Sequence, residues 1–373
     1  MTMNYSGDYI SDSDGGKLKP SSSVMRNRII NGAMVIDQRN AGASVTPTTD
    51  TYVLDRWVAG ASAASKYSVQ QNAGSVTPPI GFSKYLGVTS LSAYSVAAGD
   101  NLSISQYIEG FNFADLMWGT ANAKTVTLSF WVYSSLTGTF GGSLNNSAVN
   151  RSYPFSYSIP VANTWTQISI TIAGDTTGTW VGATNGIGAR LYFGLGIGST
   201  YQGTAGSWAG TLYLSATGAT SVVGTNGATF YITGVQLEVG SSATGYEYRQ
   251  YGQELALCQR YYETTAPAGV APVNGASANA RQILCAYGTG SAALAVRFIV
   301  PKRASPTIAY YGGSILGGST WSAYVGGVWV AATSMAVGNQ TTDGYEVEYV
   351  KAGTFSVTGS YISQGGWTAN AEL

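Results

Sequence analysis

The chain has 373 residues, only 10% of them charged, with 18 basic and 18 acidic side chains in balance, against about 25% charged in a typical globular chain. That balance excludes a phosphate-tracking nucleic-acid binder, no window reaches the roughly 18 consecutive apolar residues of a membrane span, and the N-terminus lacks the basic and apolar regions of an export signal. With 49 Gly and 26 Tyr among dense Ser and Thr, neutral polar groups must solvate the surface, a chemistry that suits pleated sheets with tight turns.

Residues 1–28 open the chain with Ser, Asp, Gly and Lys and too little apolar surface for a core. They read as an arm ordered by docking to a larger assembly, or as a frayed terminus. From 29 to 251 the pattern is period-two alternation broken by Gly, Asn and Thr. Val126, Leu128, Phe130 and Val132 share one face, Ile168, Ile170 and Ile172 another, and Leu191, Phe193 and Leu195 a third. Strands this closely spaced predict an all-β jelly roll or sandwich. The phase slips at Gly234 between Ile232 and Val235, as a β-bulge produces. Asn112–Trp118 reads as one helical turn with Asn112 as its cap. Residues 252–265 form a link, where Leu255, Cys258 and Tyr262 recur at helical spacing and predict a short helix over Gln253–Glu263. Residues 266–373 return to strands, Val296, Phe298, Val300 and then Tyr345, Val347, Tyr349 alternating with Glu346 and Glu348. They predict a second, smaller β-sandwich.

The chain contains no histidine. This removes Ser-His-Asp and Cys-His catalysis and most zinc and iron sites, so no catalytic residue, metal site or cofactor is expected. Paired carboxylates are the remaining catalytic option, in the manner of a glycosidase. Glu109 with Asp115, Asp50 with Asp55, and Asp343 with Glu346 or Glu348 are the near pairs, and chance proximity accounts for them. Asp12-Ser13-Asp14-Gly15-Gly16 starts like a calcium loop but has Ser23 where the bidentate Glu belongs. Gly194, Gly196 and Gly198 form a GxGxG string with no following helix, better read as strand glycines that let another backbone approach. The two cysteines, Cys258 and Cys285, are expected to be reduced and buried.

Aromatic side chains are the group to weigh for binding, because sugars present apolar C–H faces to Trp and Tyr rings. Tyr310, Tyr311, Trp321, Tyr324, Trp329 and Trp367 concentrate in the last domain. They are the expected ligand contacts, with core or interface filling as the alternative use.

Several blocks carry a family resemblance: Asn31–Gly42 followed by Tyr52–Trp57, Gln106–Gly110 with Ala114–Gly119, Leu128–Val132, Thr233–Gly240 and Leu255–Tyr262. Together they resemble phage and prophage tail-fibre-like proteins. The resemblance implies a carbohydrate-binding-module-like jelly roll on the exterior of a virion, commonly trimeric. On that reading the arm attaches to other virion proteins, the last domain faces a host glycan or protein, and the chain works as a homotrimer without nucleic acid or membrane insertion. A head fibre or capsid decoration protein, and a glycan-degrading fibre enzyme, are the alternatives. Asp55, Arg56 and Trp57, with Glu109 and Asp115, are expected to form a structural network or a sugar site.

Overall fold

The computed structural model describes residues 4–6, 9–11, 17–18, 25–275, 281–316 and 318–373. Most of the expected arm, and the run Asp12–Gly16 with Ser23, lie outside the described residues.

The first unit is built from β1 (Thr51–Leu54), β2 (Trp57–Ala61), β3 (Tyr67–Gln71), β4 (Leu86–Ser90), β5 (Asn101–Glu109), β6 (Val126–Ser134), β7 (Gly138–Asn146), β8 (Ser152–Ile159), β9 (Thr166–Ile172), β10 (Ile187–Ile197) and β11 (Thr229–Val239). One antiparallel sheet has the order β8-β7-β10-β5-β2-β1 and the other β9-β6-β11-β4-β3. From β4 onward the chain crosses between the sheets at every connection except the β7–β8 hairpin, which is the connectivity of a jelly roll. The alternation read from sequence sets the faces: Val126, Leu128, Phe130 and Val132 from β6 meet Leu191, Phe193 and Leu195 from β10 in the buried interior. Each such side chain contributes roughly 1.5–3 kcal/mol by leaving water. The bulge falls where the pattern slipped, with a register shift between Thr233 and Gln236 and Gly234 at φ +63.

Between β5 and β6 the expected turn is two 3-10 turns, Gly110–Asn112 and Ala114–Leu116. Asn112 is not its cap: it ends the first turn, and Phe113 precedes the second without a side-chain bond. The helix is α1, Tyr251–Gln259. It stops short of Glu263 because Tyr262–Thr264 leaves to pair as a strand, so tertiary pairing overrides local helical spacing.

The second unit comprises that strand, β12 (Tyr262–Thr264), with β13 (Arg281–Gly288), β14 (Ser291–Arg297), β15 (Thr307–Gly312), β16 (Ser322–Val325), β17 (Val328–Ala331), β18 (Ser334–Gly338), β19 (Gly344–Val350) and β20 (Ser360–Asn370). They form one connected antiparallel sheet, β17-β16-β20-β13-β14-β19-β18, with β12 and β15 also on β20. Strand β20 changes partners at Gln364/Gly365, from β13 and β16 to β12 and β15. Only glycine fits at 365, since a Cβ there lies 2.0 Å from the Trp321 ring. The core gathers Leu284, Trp321, Tyr345, Val347, Tyr349 and Trp367. Cys258 is buried and free as expected; Cys285 is free but exposed, because odd-numbered positions of β13 face outward.

Candidate functional site

Of the six aromatics expected to meet a ligand, the fold separates the buried from the open. Trp321 is 0% and Trp367 5% exposed, both within the second core. Trp321 donates its indole N–H to the Gly366 carbonyl at 3.0 Å. Tyr310 packs against Trp321 and Tyr345 and donates its hydroxyl to the Ala336 carbonyl at 2.9 Å. Tyr311 is half-buried on β15. Tyr324 is 43% exposed, and the half-buried Trp329 lies directly opposite it on the β16–β17 hairpin with ring centroids 5.4 Å apart. Its turn, Gly326-Gly327, has φ of +58 and +90, which only glycine adopts without strain.

A larger aromatic group lies at one end of the first sandwich, between the loop that joins β5 to β6 and the loop that joins β9 to β10. Trp118 and Trp180 meet edge to face at 4.8 Å, Trp208 meets both at 5.2 and 5.6 Å, and Phe113 stacks on Trp180 at 5.6 Å. A cleft of about 270 Å³ opens between the loops, lined by Phe113, Met117, Trp118, Thr120, Trp180 and Val181. Phe111 and Met117 stand beside it, 53% and 43% exposed. Met117 sits at φ +55, a left-handed conformation uncommon outside glycine.

Polar bonds hold this cleft in shape. The Gly110 amide donates to the Gly186 carbonyl at 2.8 Å, that of Phe111 to Thr184 at 2.9 Å and that of Gly119 to Asp175 at 2.7 Å, so the loops are sewn together. Each ring nitrogen has an acceptor: Trp118 the Lys124 carbonyl at 2.7 Å, Trp208 the Ala173 carbonyl at 2.8 Å, Trp180 the Asp175 carboxylate at 3.1 Å. Arg151 donates twice to Asp175, both at 2.7 Å. Burial alone raises the Asp175 carboxyl, but the Arg151, Thr177 and Trp180 donors outweigh it and hold it below the usual carboxylate range. Sequence reading passed over Trp180 and Trp208. The signal was present as a lone Trp inside Gly178-Thr179-Trp180-Val181-Gly182 and inside Gly206-Ser207-Trp208-Ala209-Gly210, where a large apolar ring in a Gly-rich polar loop has no strand pattern to place it in a core.

Two of the expected carboxylate pairs, Glu109 with Asp115 and Asp50 with Asp55, are drawn into other bonds. Arg260 donates to Glu109 at 2.9 and 2.6 Å, and the Tyr261 hydroxyl donates to it as well. Arg28 holds Asp115. Asp55 accepts from the Gln38 amide and side chain, both at 2.7 Å, and Asp50 from the Ala61 amide at 2.9 Å. Trp57 donates to the Asn31 carbonyl at 3.0 Å. Arg56, 1% exposed, pairs with Glu372 and lies 3.6 Å from the Tyr261 ring centroid. Glu109 and Arg56 reach beyond the first unit to Arg260, Tyr261 and Glu372, while the other bonds stay within it. Glu346 and Glu348 face outward from β19, and Glu346 accepts from Asn339 at 2.7 Å. Among the described residues, no group of three or more Cys, Asp or Glu is arranged to hold a metal ion, and no helix is long and apolar enough to cross a membrane.

No family model matches the chain, and no curated protein matches it. Among solved structures it is similar to the enzymatically active domain of tailspike protein 4 of bacteriophage CBA120, at 14% identity over 57% of this chain and 21% of that one, TM-score 0.29. It is similar to a putative sugar binding protein from Bacteroides thetaiotaomicron, at 11% identity over 58% of this chain and all of that one, TM-score 0.34. A third likeness is to TmCBM61 in complex with β-1,4-galactotriose, at 10% identity over 58% and 99%, TM-score 0.28. The chain thus spans about a fifth of the tailspike domain's length. These likenesses concern the β-sandwich fold alone.

Proposed function

We propose that the chain is a non-catalytic, glycan-binding structural subunit of a bacteriophage particle, a fibre or receptor-binding protein that works as a homotrimer on the virion exterior. The observation that carries the binding part is the tryptophan cleft: preformed, aromatic, and open between two loops that backbone bonds keep in register. Phe113 and Trp118 are buried at 2% and 5% exposure and belong to the first core, so a sugar ring would place its C–H face on the half-buried Trp180 ring, while the Thr120 hydroxyl and loop backbone meet its hydroxyls. The Tyr324–Trp329 hairpin supplies a second surface aromatic pair for the host-facing contact. The virion assignment is supported by the tail-fibre-like blocks between Asn31 and Glu263, and the residue 1–28 arm is the proposed attachment to other virion proteins.

The non-catalytic reading is supported by the ion pairs and backbone bonds that engage Glu109, Asp115, Asp50 and Asp55. The homotrimer is supported by the outer face of the second unit, where Ile283, Tyr287 and Ile362 are exposed on β13 and β20. A strand apolar on both faces is one that expects cover on both.

The test is binding of the purified chain to a glycan array and to host cells, with Trp180→Ala beside the wild type and molar mass from light scattering. Loss of at least tenfold in affinity is expected on removing the ring, about 1.4 kcal/mol. A trimer that binds neither glycans nor cells would sink the binding reading in favour of a decoration protein. A fall in host-polysaccharide viscosity that Asp343→Asn or Glu346→Gln abolishes would sink the non-catalytic one.

A further inference from the structure

The glycine string at Gly194, Gly196 and Gly198 marks a pocket distinct from the tryptophan cleft. On β10 the inward residues are Leu191, Phe193 and Leu195, so the outward positions after Tyr192 are Gly194 and Gly196, which carry no side chain over the outer face of the six-stranded sheet. The ladder to β5 slips between Gly194 and Gly196, and the Leu195 carbonyl accepts from the Val222 and Val223 amides of the following loop. A bulge of this kind re-aims a strand edge. The loops fold over the bare stretch and enclose about 250 Å³, with Ser199, Gln202, Ser215, Thr220 and Ser221 as the polar lining and Val96 and Ala98 as apolar wall.

Two of those side chains are unspent. Ser215 is 1% exposed, and its hydroxyl oxygen has no hydrogen-bond partner within the protein; the buried Ser221 hydroxyl has none either. Both oxygens are closed off as the side chains stand, so a ligand reaches them only when the serines turn toward the pocket; a buried hydroxyl left unbonded costs about 1–3 kcal/mol, which favours that turn. No charged residue lines it and no aromatic ring does. That lining gives no counter-ion for a phosphate, a carboxylate or an amine, and no platform for a flat stacked ring. At about 30 Å³ per water, the volume equals roughly eight waters, enough for one small ring and too little for a chain.

We propose that this pocket binds a single uncharged polyhydroxylated ring, the chemistry of a neutral monosaccharide or a sugar chain's terminal residue, through the Ser215, Ser221 and Thr220 hydroxyls. It deepens the glycan reading and takes its ligand class partly from it, but the site is separate. Gly188, beside Gly110 and Phe113 near the cleft, and Gly196 lie eight residues apart on β10, a span of about 26 Å at strand rise. The two sites therefore sit at opposite ends of one strand.

The experiment is saturation-transfer NMR and calorimetric titration of the full chain with free glucose, galactose, mannose and N-acetylglucosamine. Wild type is compared with Ser215→Ala, with Ser199→Trp at the exposed rim, and with Trp180→Ala. One monosaccharide is expected to bind with a component that is about tenfold weaker in Ser215→Ala and absent in Ser199→Trp, and that persists in Trp180→Ala after the cleft's own share is lost. Ser199 lies on the surface, so its substitution leaves the core intact. The inference is overturned if none of the four sugars binds wild type, or if Ser215→Ala and Ser199→Trp both bind as wild type does. Glycan binding lost in Trp180→Ala but kept in both pocket variants would overturn this site while leaving the cleft assignment standing.

Discussion

At the scale of single residues, the buried carboxylates set an acid-base signature for stability. Burial raises the Asp55 carboxyl to about 6 against an unfolded value of 3.8, with Arg39 and the Gln38 donors opposing it. Because the folded state then holds its proton more tightly, Asp55 contributes most below the unfolded value, and its contribution is lost as pH rises through about 6. Asp175 and Asp100 have the opposite sign. Burial opposes both, but their donors hold them low, so their contribution is present above the unfolded value and lost as pH falls through the folded one. Thermal stability is therefore expected to rise from pH 7 to about 5 and to fall again below about 4. A melting series across pH 3 to 8 checks this, with Asp55→Asn expected to flatten the upper limb, worth at most about 3 kcal/mol. Asp175→Asn has a second consequence. It weakens the Arg151 pair and the Trp180 anchor together, so on the proposed glycan reading it lowers affinity several-fold, measurable by the same titrations.

At the scale of elements, strand faces were legible because a period-two pattern is local: Val126 to Val132 and Tyr345 to Tyr349 carry their own burial in their order. The bulge at Gly234 was legible for the same reason. What escaped was everything set by distant partners. The helix end at Gln259 depends on β20, more than a hundred residues later. The six aromatics of the last domain look alike in sequence, yet the change of partners along β20 buries Trp321 and Trp367 and leaves the hairpin pair outside. The clamp on Arg56 is a long-range case, since its partner Glu372 is 316 residues away. Arg39 joins it, bonding Glu372 at 2.9 Å and lying 3.8 Å from the Tyr262 ring centroid. Glu372→Ala strands a buried guanidinium, a change that costs about 3–5 kcal/mol when one partner of a buried pair is removed. Chemical denaturation should show that loss, and Arg56→Met in the same background should recover part of it.

At the scale of the whole molecule, the two large cores are separate, and the seam between them combines a small apolar cluster of Ile30, Ile36, Cys258, Tyr261 and Leu373 with shared polar bonds. Arg303 donates to the carbonyls of Ala371 at 2.6 Å, Glu372 at 2.6 Å and Asn185 at 2.8 Å, and Asn185 returns a bond to the Arg303 carbonyl at 2.8 Å. Arg260 and Tyr261 reach back to Glu109. A fragment of residues 25–250 would keep its sandwich yet leave Arg56 and Glu109 without the Glu372, Arg260 and Tyr261 partners that cover them in the full chain. It should melt well below the full chain, and the full chain should unfold in one calorimetric transition; two resolved transitions, or a fragment as stable as the whole, would contradict a coupled seam.

The Glu372 clamp also decides how tension would travel. A pull that separates the sandwiches does not fall only on the covalent segment after α1. β20 is laced to β12 at Tyr262–Thr264, and two residues beyond β20 the chain is fastened to Arg39 and Arg56 of the first unit. Load therefore runs through the peptide and, in parallel, through the Glu372 ion pairs and the Arg303–Asn185 and Arg260–Glu109 bonds, and the joint behaves as a multiply pinned bracket rather than a hinge.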